Sequence, residues 1–457
     1  MQNSIPSEDE LAAAYGAHLA VMQDRFEKAL ALAGFDGVVI FAGEEKLVFR
    51  DDAAYSFKAE PYFKAWVPLT QSPGSFLRLL PGQRPMLVYR QAEDFWHEPP
   101  SDPTGYWTAH FDIRVVKTEA EARKLIGSDK PRYVAIGEGL EDGANADTSS
   151  LWGAVNDVNL LSYIDFFRAF KTPYEILCIR SATAVAVRGH VAAARAFAAG
   201  ASELELHEIY CRAMQQRESE LPYSSIVALN EHAAILHYQN LRTRPPAVTR
   251  SFLMDAGAQF NGYAADITRT WANATDEFAA LIASMETLQQ TLCRETRKDL
   301  DFVRLHERAH RLLADVLHEH GLITCRPEEA LASGITRAFL PHGLGHLLGL
   351  QVHDAGGHQI DPGGTRREPP KDHPYLRLTR VLEPGFVVTI EPGLYFIPSL
   401  LRTMREQHSA KINWNVVERL TPFGGIRIED DVEVTTDGIR NLTREAFNAL
   451  QDAAPGL

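Results

Sequence analysis

A predicted β-hairpin near the middle of the chain constrains the fold more than any other feature of the sequence. Residues 250–257 and 263–271 both have strand-like sequences. Asn261-Gly262, between them, is a favoured two-residue hairpin turn. The two strands are therefore predicted to pair antiparallel, in a register that the turn fixes.

This register places two aspartates on one face of the hairpin. Asp255 is predicted to pair with Thr268. Asp266 is predicted to pair with Gly257, so the two aspartates are diagonal neighbours with Cβ atoms about 7 Å apart. Such carboxylates repel each other unless a cation lies between them, and two metal ions about 3.5–4 Å apart would fit. Solvated strand residues are the alternative interpretation, and only further ligands decide between the two.

Three histidines lie in the glycine-rich and largely apolar segment Pro341–Asp354: His342, His346 and His353. Its glycines argue against a regular helix. A buried neutral imidazole is a good ligand for a divalent metal, although a lone histidine would more often be a hydrogen-bonded core residue. The segment contains no HExxH sequence, so the usual helix of single-zinc proteases is not predicted.

Two glutamates lie in strand-like segments that are otherwise largely apolar. Glu391 follows residues 387–390 and precedes a Pro-Gly turn. Residues 424–430 alternate, so Arg427 and Glu429 are predicted to point to the same side. A carboxylate in such surroundings is costly unless it is paired or bound to a metal. An exposed ion pair with Arg427 is the alternative interpretation for Glu429.

Length and composition are typical of a multidomain soluble protein. The chain has 457 residues and a formal net charge of −14, which disfavours nucleic acids and anionic membranes as partners. Its four cysteines form no CxxC pair, so neither a disulfide framework nor a thiolate zinc site is predicted. We find no basic signal-peptide region and no apolar stretch near the roughly 20 residues that span a membrane. A cytoplasmic location is therefore predicted.

The chain is predicted to divide into two domains, residues 1–170 and 171–457. Predicted helices and strands alternate in the first part, at residues 8–33, 37–41, 85–89, 119–125 and 133–136, which indicates an α/β domain. A strong helix start follows the boundary, because Thr172 can cap the helix, Pro173 suits its first position and Glu175 can complete a capping box.

The chain resembles the pita-bread metallopeptidases in four segments: MDAGAQFNGYAADITRTW, PHGLGHLLGLQVHD, TIEPGLYF and GGIRIED. This family includes methionine aminopeptidase, aminopeptidase P and prolidase. The resemblance covers nearly the whole chain and is closest to bacterial Xaa-Pro dipeptidase (prolidase) and to the organophosphorus acid anhydrolases. It implies an α+β protein with a C-terminal pita-bread catalytic domain and a smaller α/β N-terminal domain.

The resemblance also implies a set of five metal ligands. Asp255 would bind one metal through both oxygens, and Asp266 and Glu429 would bridge two metals. His346 and Glu391 would complete the second metal. A set made only of nitrogen and oxygen ligands favours Mn²⁺, while Zn²⁺ and Co²⁺ stay open.

Further positions match substrate-contacting residues of the family. His237 and His353 match two histidines that contact the peptide near the reacting centre. Arg377 matches the arginine that binds the substrate's C-terminal carboxylate. The other matches are pocket residues: Tyr223, His342 and Arg427.

The implied activity is hydrolysis of Xaa-Pro dipeptides to a free amino acid and proline by a hydroxide that bridges the metals, with Glu391 moving the proton. A side activity on organophosphorus esters is part of the same resemblance. Aminopeptidase P activity on longer peptides is one alternative, which Arg377 disfavours. A non-catalytic, peptide-binding pita-bread protein is another, which the complete ligand set disfavours.

The resemblance further implies a homodimer, in which the N-terminal domain of one subunit lies near the active site of the other. Asp51-Asp52 and a nearby aromatic run are predicted to form this contact, because aromatic residues are enriched at interfaces. The run consists of Tyr55, Phe57, Tyr62, Phe63 and Trp66. A buried strand is the alternative interpretation of these aromatic residues.

Overall fold

The chain folds into an N-terminal α/β unit followed by a larger α+β unit, as predicted. The computed structural model describes residues 5–126, 132–140 and 153–453. The elements of the first unit are α1 (Glu8–Ala33), β1 (Gly37–Phe41), α2 (Pro61–Lys64), β2 (Phe76–Leu79), β3 (Met86–Arg90), β4 (Asp112–Val116), α3 (Glu119–Ile126), β5 (Tyr133–Ile136), β6 (Ala154–Val155) and α4 (Val158–Arg168).

The N-terminal unit is built on one six-stranded mixed sheet in the order β4-β3-β2-β1-β5-β6. Strand β1 pairs parallel with β5 and antiparallel with β2. Helix α1 begins with a capping box between Ser7 and Glu10 and ends at Gly34, whose φ of 79° suits glycine. The helices and strands predicted for this region are confirmed, with ends that shift by a residue or two.

The aromatic run predicted to form a subunit contact is mostly core. Phe57, Phe63 and Trp66 are buried inside the N-terminal unit, so the prediction that they form an interface is wrong. Apolar contacts within their own chain stabilise them better than a surface position would. Tyr55 is 61% exposed and remains available for contact.

The second unit begins with a long buried helix. Helix α5 (Pro173–Ala198) has Thr172 as its cap and a capping box with Glu175, as predicted. By length and composition alone α5 could cross a membrane, but 72% of the 18-residue apolar stretch that would span it is buried inside the protein. We therefore interpret it as a core helix.

The helices and short helical segments that follow pack around several small sheets. The helices are α6 (Glu203–Met214), α7 (Glu277–Glu295), α8 (Phe302–Glu319), α9 (Pro327–Ala332), α10 (Ile335–Phe339), α11 (Pro398–His408), α12 (Trp414–Leu420) and α13 (Leu442–Ala453). The strands are β7 (Ile226–Leu229), β8 (Ser251–Asp255), β9 (Gln259–Phe260), β10 (Tyr263–Ala264), β11 (Thr268–Ala272), β12 (Val387–Ile390), β13 (Gly393–Tyr395), β14 (Gly425–Arg427), β15 (Asp430–Val434) and β16 (Ile439–Asn441).

The central hairpin has the predicted register but not continuous strands. Asp255 pairs with Thr268 between β8 and β11, and β9 pairs with β10 around the Asn261-Gly262 turn. The strands are interrupted because the backbone NH of Asp266 points to the carboxylate of Asp431, 3.3 Å away. A Cβ on Gly257 would lie only 2.0 Å from the backbone oxygen of residue 265, so this crossing requires glycine.

Two further strand pairings bring the glutamate segments to the hairpin. Strand β12 pairs antiparallel with β15, and β13 pairs with β14. An isolated bridge joins Thr268 to Glu429, and another joins Leu347 to Val388. These bridges place the hairpin, the histidine segment and both glutamate segments side by side.

Candidate active site

Five predicted ligand residues converge on one cavity of about 360 Å³. Asp255 ends β8 and Asp266 lies between β10 and β11. Glu391 follows β12, Glu429 precedes β15, and His346 lies in the loop that follows α10. Although they are separated by up to 174 positions in the sequence, all five line the same cavity.

Three of these residues are arranged tightly enough to share a metal ion. Ligand atoms of Asp266, His346 and Glu429 all lie within 4.8 Å of one another, and all three residues are buried. The Nε2 atom of His346 lies 3.4 Å from Oδ2 of Asp266 and 3.7 Å from Oε1 of Glu391. Its Nδ1 atom lies 3.0 Å from the backbone oxygen of Leu347, which can only accept. Nδ1 therefore carries the proton, and Nε2 is free to bind a metal.

The backbone around His346 is held against β12. The NH of Thr389 donates to the backbone oxygen of His346 at 3.0 Å, and the NH of Glu391 donates to that of Leu344 at 2.8 Å. A Cβ on Gly345 would lie 1.9 Å from the backbone oxygen of Thr389. Glycine at position 345 thus permits the close approach that brings His346 to Glu391.

The electrostatics of the cavity favour a bound cation. Burial raises the pKa of Glu391 to about 7 and that of Glu429 well above its usual range, and the neighbouring Asp266 adds to both shifts. Burial also tends to raise the pKa of Asp266, but the neighbouring His346, the hydroxyl of Tyr223 and His353 together outweigh burial and lower it. Buried carboxylates this close together cannot all carry a negative charge unless a cation neutralises them. Divalent metal ions provide that positive charge, so the residues fit a metal centre.

Arg427 forms a buried ion pair with Asp255 rather than an exposed one with Glu429. A terminal nitrogen of its guanidinium lies 2.5 Å from Oδ2 of Asp255. Glu429 is 2% exposed and accepts a hydrogen bond of 2.6 Å from the hydroxyl of Thr268. The alternative interpretation of Glu429 as a surface residue is therefore wrong.

Tyr223 and His342 lie beside the candidate ligands. The hydroxyl of Tyr223 is 2.8 Å from Oδ1 of Asp255 and 2.5 Å from Oδ1 of Asp266. His342 places Nδ1 3.6 Å from Oε2 of Glu391. Tyr223 is therefore in position to orient the two aspartates, whereas Nδ1 of His342 donates to the backbone oxygen of Gly343 at 2.7 Å.

His237, His353 and Arg377 lie on the open side of the cavity. All three are exposed and line it. The ring of His353 packs at right angles to that of His346, with centroids 4.5 Å apart. Among the described residues Arg377 has no hydrogen-bond or ion-pair partner, so its guanidinium is available to a ligand.

The two acids that could have neutralised Arg377 have other partners. Asp372 lies 3.4 Å from Arg337, and Glu383 lies 3.8 Å from Arg380. Neither acid therefore forms an ion pair with Arg377.

Tyr395 and Thr268 belong to the site but were not predicted. The buried hydroxyl of Tyr395 lies 2.7 Å from Nε2 of His342 and 2.8 Å from a terminal nitrogen of Arg427. Thr268 bonds Glu429 and also lies 3.2 Å from Nε of Arg427. Thr268 could have been found from the sequence, because the predicted hairpin register sets it opposite Asp255. Tyr395 looks like an ordinary strand aromatic in the sequence.

A buried charged cluster behind the site was also not predicted. Asp354 forms ion pairs with Arg168 and with Lys171, whose Nζ lies 2.7 Å from Oδ2 of the aspartate. Because Asp354 follows His353 directly, these pairs connect the substrate side of the cavity to the segment between α4 and α5. No local sequence pattern links residues so far apart.

The ligand geometry and the mixed fold define a metal-dependent peptidase, and the family comparison agrees. Residues 177–436 match the model of metallopeptidase family M24, so the chain belongs to this family. Residues 13–166 match the model of the Xaa-Pro dipeptidase N-terminal domain.

Curated relatives match along nearly the whole chain. An Xaa-Pro dipeptidase of Stenotrophomonas maltophilia is 47% identical over 441 residues, which cover 96% of this chain and 98% of the relative. An Xaa-Pro dipeptidase of Xanthomonas campestris pv. campestris is 46% identical over 447 residues, which cover 97% and 100%. The similarity is therefore not confined to the metal-binding segments.

Solved structures share the fold at lower identity. Zinc-substituted aminopeptidase P of Escherichia coli, in complex with product, has a TM-score of 0.69 at 23% identity and covers 98% of this chain and 99% of its own. The same enzyme with the inhibitor Pro-Leu has a TM-score of 0.69 at 22% identity and covers 99% and 100%. At such identities the likeness establishes the fold alone.

Proposed function

We propose that this protein hydrolyses Xaa-Pro dipeptides at a centre that holds two divalent metal ions. The observation that carries the proposal is the convergence of a complete nitrogen and oxygen ligand set on one buried cavity: Asp255, Asp266, His346, Glu391 and Glu429. The relatives named Xaa-Pro dipeptidase support the choice of substrate. A cavity of about 360 Å³ is of the size that suits a small ligand.

The four carboxylates would neutralise two divalent cations, and Mn²⁺ is the favoured metal because no thiolate takes part. Bound there, the metals would supply Lewis acidity at the scissile carbonyl and would lower the pKa of a water molecule. Tyr223 orients Asp255 and Asp266, and Arg427 holds Asp255 from the other side.

Glu391 is the residue that we assign to proton transfer. It is half-buried, and it is positioned by the backbone pairing of β12 with the histidine segment. It would take the proton from the attacking water and deliver it to the departing proline nitrogen. His342 lies beside it, with Nδ1 3.6 Å from its carboxylate.

The open side of the cavity is assigned to the peptide. His237 and His353 would donate hydrogen bonds to the oxyanion that develops at the scissile carbonyl. Arg377 would bind the free carboxylate of proline, since its guanidinium has no competing partner among the described residues. This arrangement requires a substrate that ends at proline.

An assay of the Mn²⁺-loaded protein on Ala-Pro beside Ala-Pro-Ala tests this proposal. We expect rapid cleavage of the dipeptide, slow cleavage of the tripeptide and loss of activity after chelation. Preference for Ala-Pro-Ala would favour aminopeptidase P activity instead. A protein that binds peptides but contains no metal would support the non-catalytic alternative.

We further propose a cytoplasmic homodimer. Exposed apolar residues of the N-terminal unit support an interface there, because Leu47 and Tyr55 are each 61% exposed and Phe49 is 88% exposed. Asp51-Asp52 lies in the same segment. A monomer in light scattering at assay concentration would contradict this assignment. The domain boundary after residue 170 and the activity on organophosphorus esters stay predictions.

A further inference from the structure

Outside the catalytic cavity, three histidines form a compact cluster. His306 and His310 lie on α8, and His373 lies in the loop that leads to Arg377. Their ligand nitrogens lie within 4.8 Å of one another. The ring centroids are 4.7 Å apart for His306 and His310, 4.3 Å for His306 and His373, and 4.6 Å for His310 and His373.

The two helical histidines are buried without adequate partners. His306 is 1% exposed and His310 is 2% exposed. Among the described residues, neither ring nitrogen of His306 has a hydrogen-bond partner, and neither has Nε2 of His310. Nδ1 of His310 lies 3.1 Å from the hydroxyl of Thr336, which fixes this ring. Unpaired polar atoms at such depth are costly, and their convergence at one point indicates that a ligand satisfies them.

These imidazoles are in the protonation state that metal binding requires. Burial, together with neighbouring positive groups that include His373, lowers the pKa of His306 to about 2 and that of His310 to about 3. Burial also lowers the pKa of His373. All three rings are therefore neutral at physiological pH, as ligands must be.

The helix carries a recognised zinc-binding spacing. The segment 341–354 contains no HExxH sequence, but residues 306–310 of α8 read HERAH. Histidines four positions apart lie on one face of a helix and can bind one metal ion, which is the basis of this motif in zinc proteins. Here His373 contributes the third nitrogen from a distant loop.

We propose that His306, His310 and His373 bind one zinc ion, separate from the catalytic metals. Three imidazoles and no carboxylate form a nitrogen-only set, which suits Zn²⁺ better than Mn²⁺. Glu307, the acid of the motif, is exposed rather than buried with the histidines. The fourth position is left for water, which can enter beside the half-buried His373.

The zinc site would tie the substrate loop to α8. The NH of Leu376 donates to the backbone oxygen of His373 at 3.2 Å, and the next residue is Arg377. Tyr375 and Arg377, from the same loop, both line the catalytic cavity. Zinc at the three histidines would therefore restrain the residues that face the peptide.

Zinc binding by the full-length protein tests the proposal without depending on the catalytic metals. In a chain with Asp255→Asn, Asp266→Asn and His346→Ala, which removes three of the five catalytic ligands, we expect one tightly held Zn²⁺ per chain by elemental analysis after gel filtration. Adding His373→Ala to that chain is expected to abolish the bound zinc. Because His373 is only half-buried, this variant avoids the folding risk of changing His306.

Two matched variants serve as controls. His318→Gln changes an exposed histidine of the same helix, and Glu307→Gln changes the acid of the motif. Both are expected to retain the zinc. In the otherwise native chain, zinc is expected to slow amide hydrogen exchange in residues 370–377, and His373→Ala to remove this effect.

Absence of zinc from the chain that lacks the three catalytic ligands would overturn the proposal and leave the histidines to bind water only. Zinc that persists after His373→Ala would overturn it as well. Neither outcome bears on the catalytic centre, which the Ala-Pro assay tests separately.

Discussion

Replacing Arg377 by methionine is expected to slow hydrolysis of Ala-Pro strongly and hydrolysis of Ala-Pro-amide only slightly. The structure gives two reasons. Arg377 lines the catalytic cavity, and among the described residues it has no internal partner that its removal would leave unpaired. Methionine replaces the apolar stem of arginine without its guanidinium, so the change chiefly removes the charge and its hydrogen bonds.

The size of the effect follows from the contact that is lost. A charge-assisted hydrogen bond contributes about 1.5–3 kcal/mol, and a tenfold change in rate corresponds to about 1.4 kcal/mol. Arg377 is exposed in the free protein, so solvent screening favours the lower part of this range. We therefore expect kcat/KM for Ala-Pro to fall by roughly ten- to fortyfold.

Steady-state kinetics on the two substrates provide the measurement. Ala-Pro-amide lacks the carboxylate, so the native protein is expected to cleave it slowly, and Arg377→Met to change that rate by less than about threefold. Arg366→Met is the matched control, because Arg366 is exposed, pairs with Glu368 at 3.4 Å and does not line the cavity. Equal small effects on both substrates would refute the carboxylate role and remove the main argument for a dipeptidase over an aminopeptidase P.

Three other changes give further tests. Asp266→Asn is expected to abolish activity and bound catalytic metal, since this carboxylate is shared among the ligands; near-native turnover would contradict the metal centre. Gly345→Ala is expected to impair activity severely, because its Cβ would lie 1.9 Å from a backbone oxygen of β12; unchanged kinetics would contradict that close approach. Asp354→Asn is expected to lower the free energy of unfolding in denaturant by about 3–5 kcal/mol at neutral pH, because Arg168 and Lys171 lose a buried partner. Burial tends to raise the pKa of Asp354, but these two cations lower it overall, so its stabilisation is present above the unfolded pKa of about 3.9 and is lost as the pH falls through the lower folded value. A penalty that persisted unchanged in acid would contradict this assignment.

Features with short-range causes were predictable from the sequence. The Asn261-Gly262 turn fixed the hairpin register, and with it the pairing of Asp255 with Thr268. Side chains at the helix start determined where α5 begins, because Thr172 and Glu175 bond backbone groups three positions away. In each case the interacting groups lie within a few residues, so a local pattern contains all the partners.

Interpretations that depend on burial were less secure. The aromatic run near residue 60 looked suited to an interface, yet Phe63 and Trp66 are core residues. Composition cannot distinguish these positions, because an aromatic side chain gains from losing contact with water against either its own chain or a partner. The same limit applied to Glu429, whose burial became evident only when β15 was placed beside the hairpin.

The sequence by itself determined which residue types occur in each segment, where turns and helix caps form, and which side chains share a strand face. Only the tertiary structure decided which distant segments meet. It joined Asp354 to Arg168 across 186 positions, and it brought His373 to His306 and His310. The physical reason is that local hydrogen bonds and side-chain periodicity act within one element, whereas a shared site depends on how whole elements pack around their buried apolar faces.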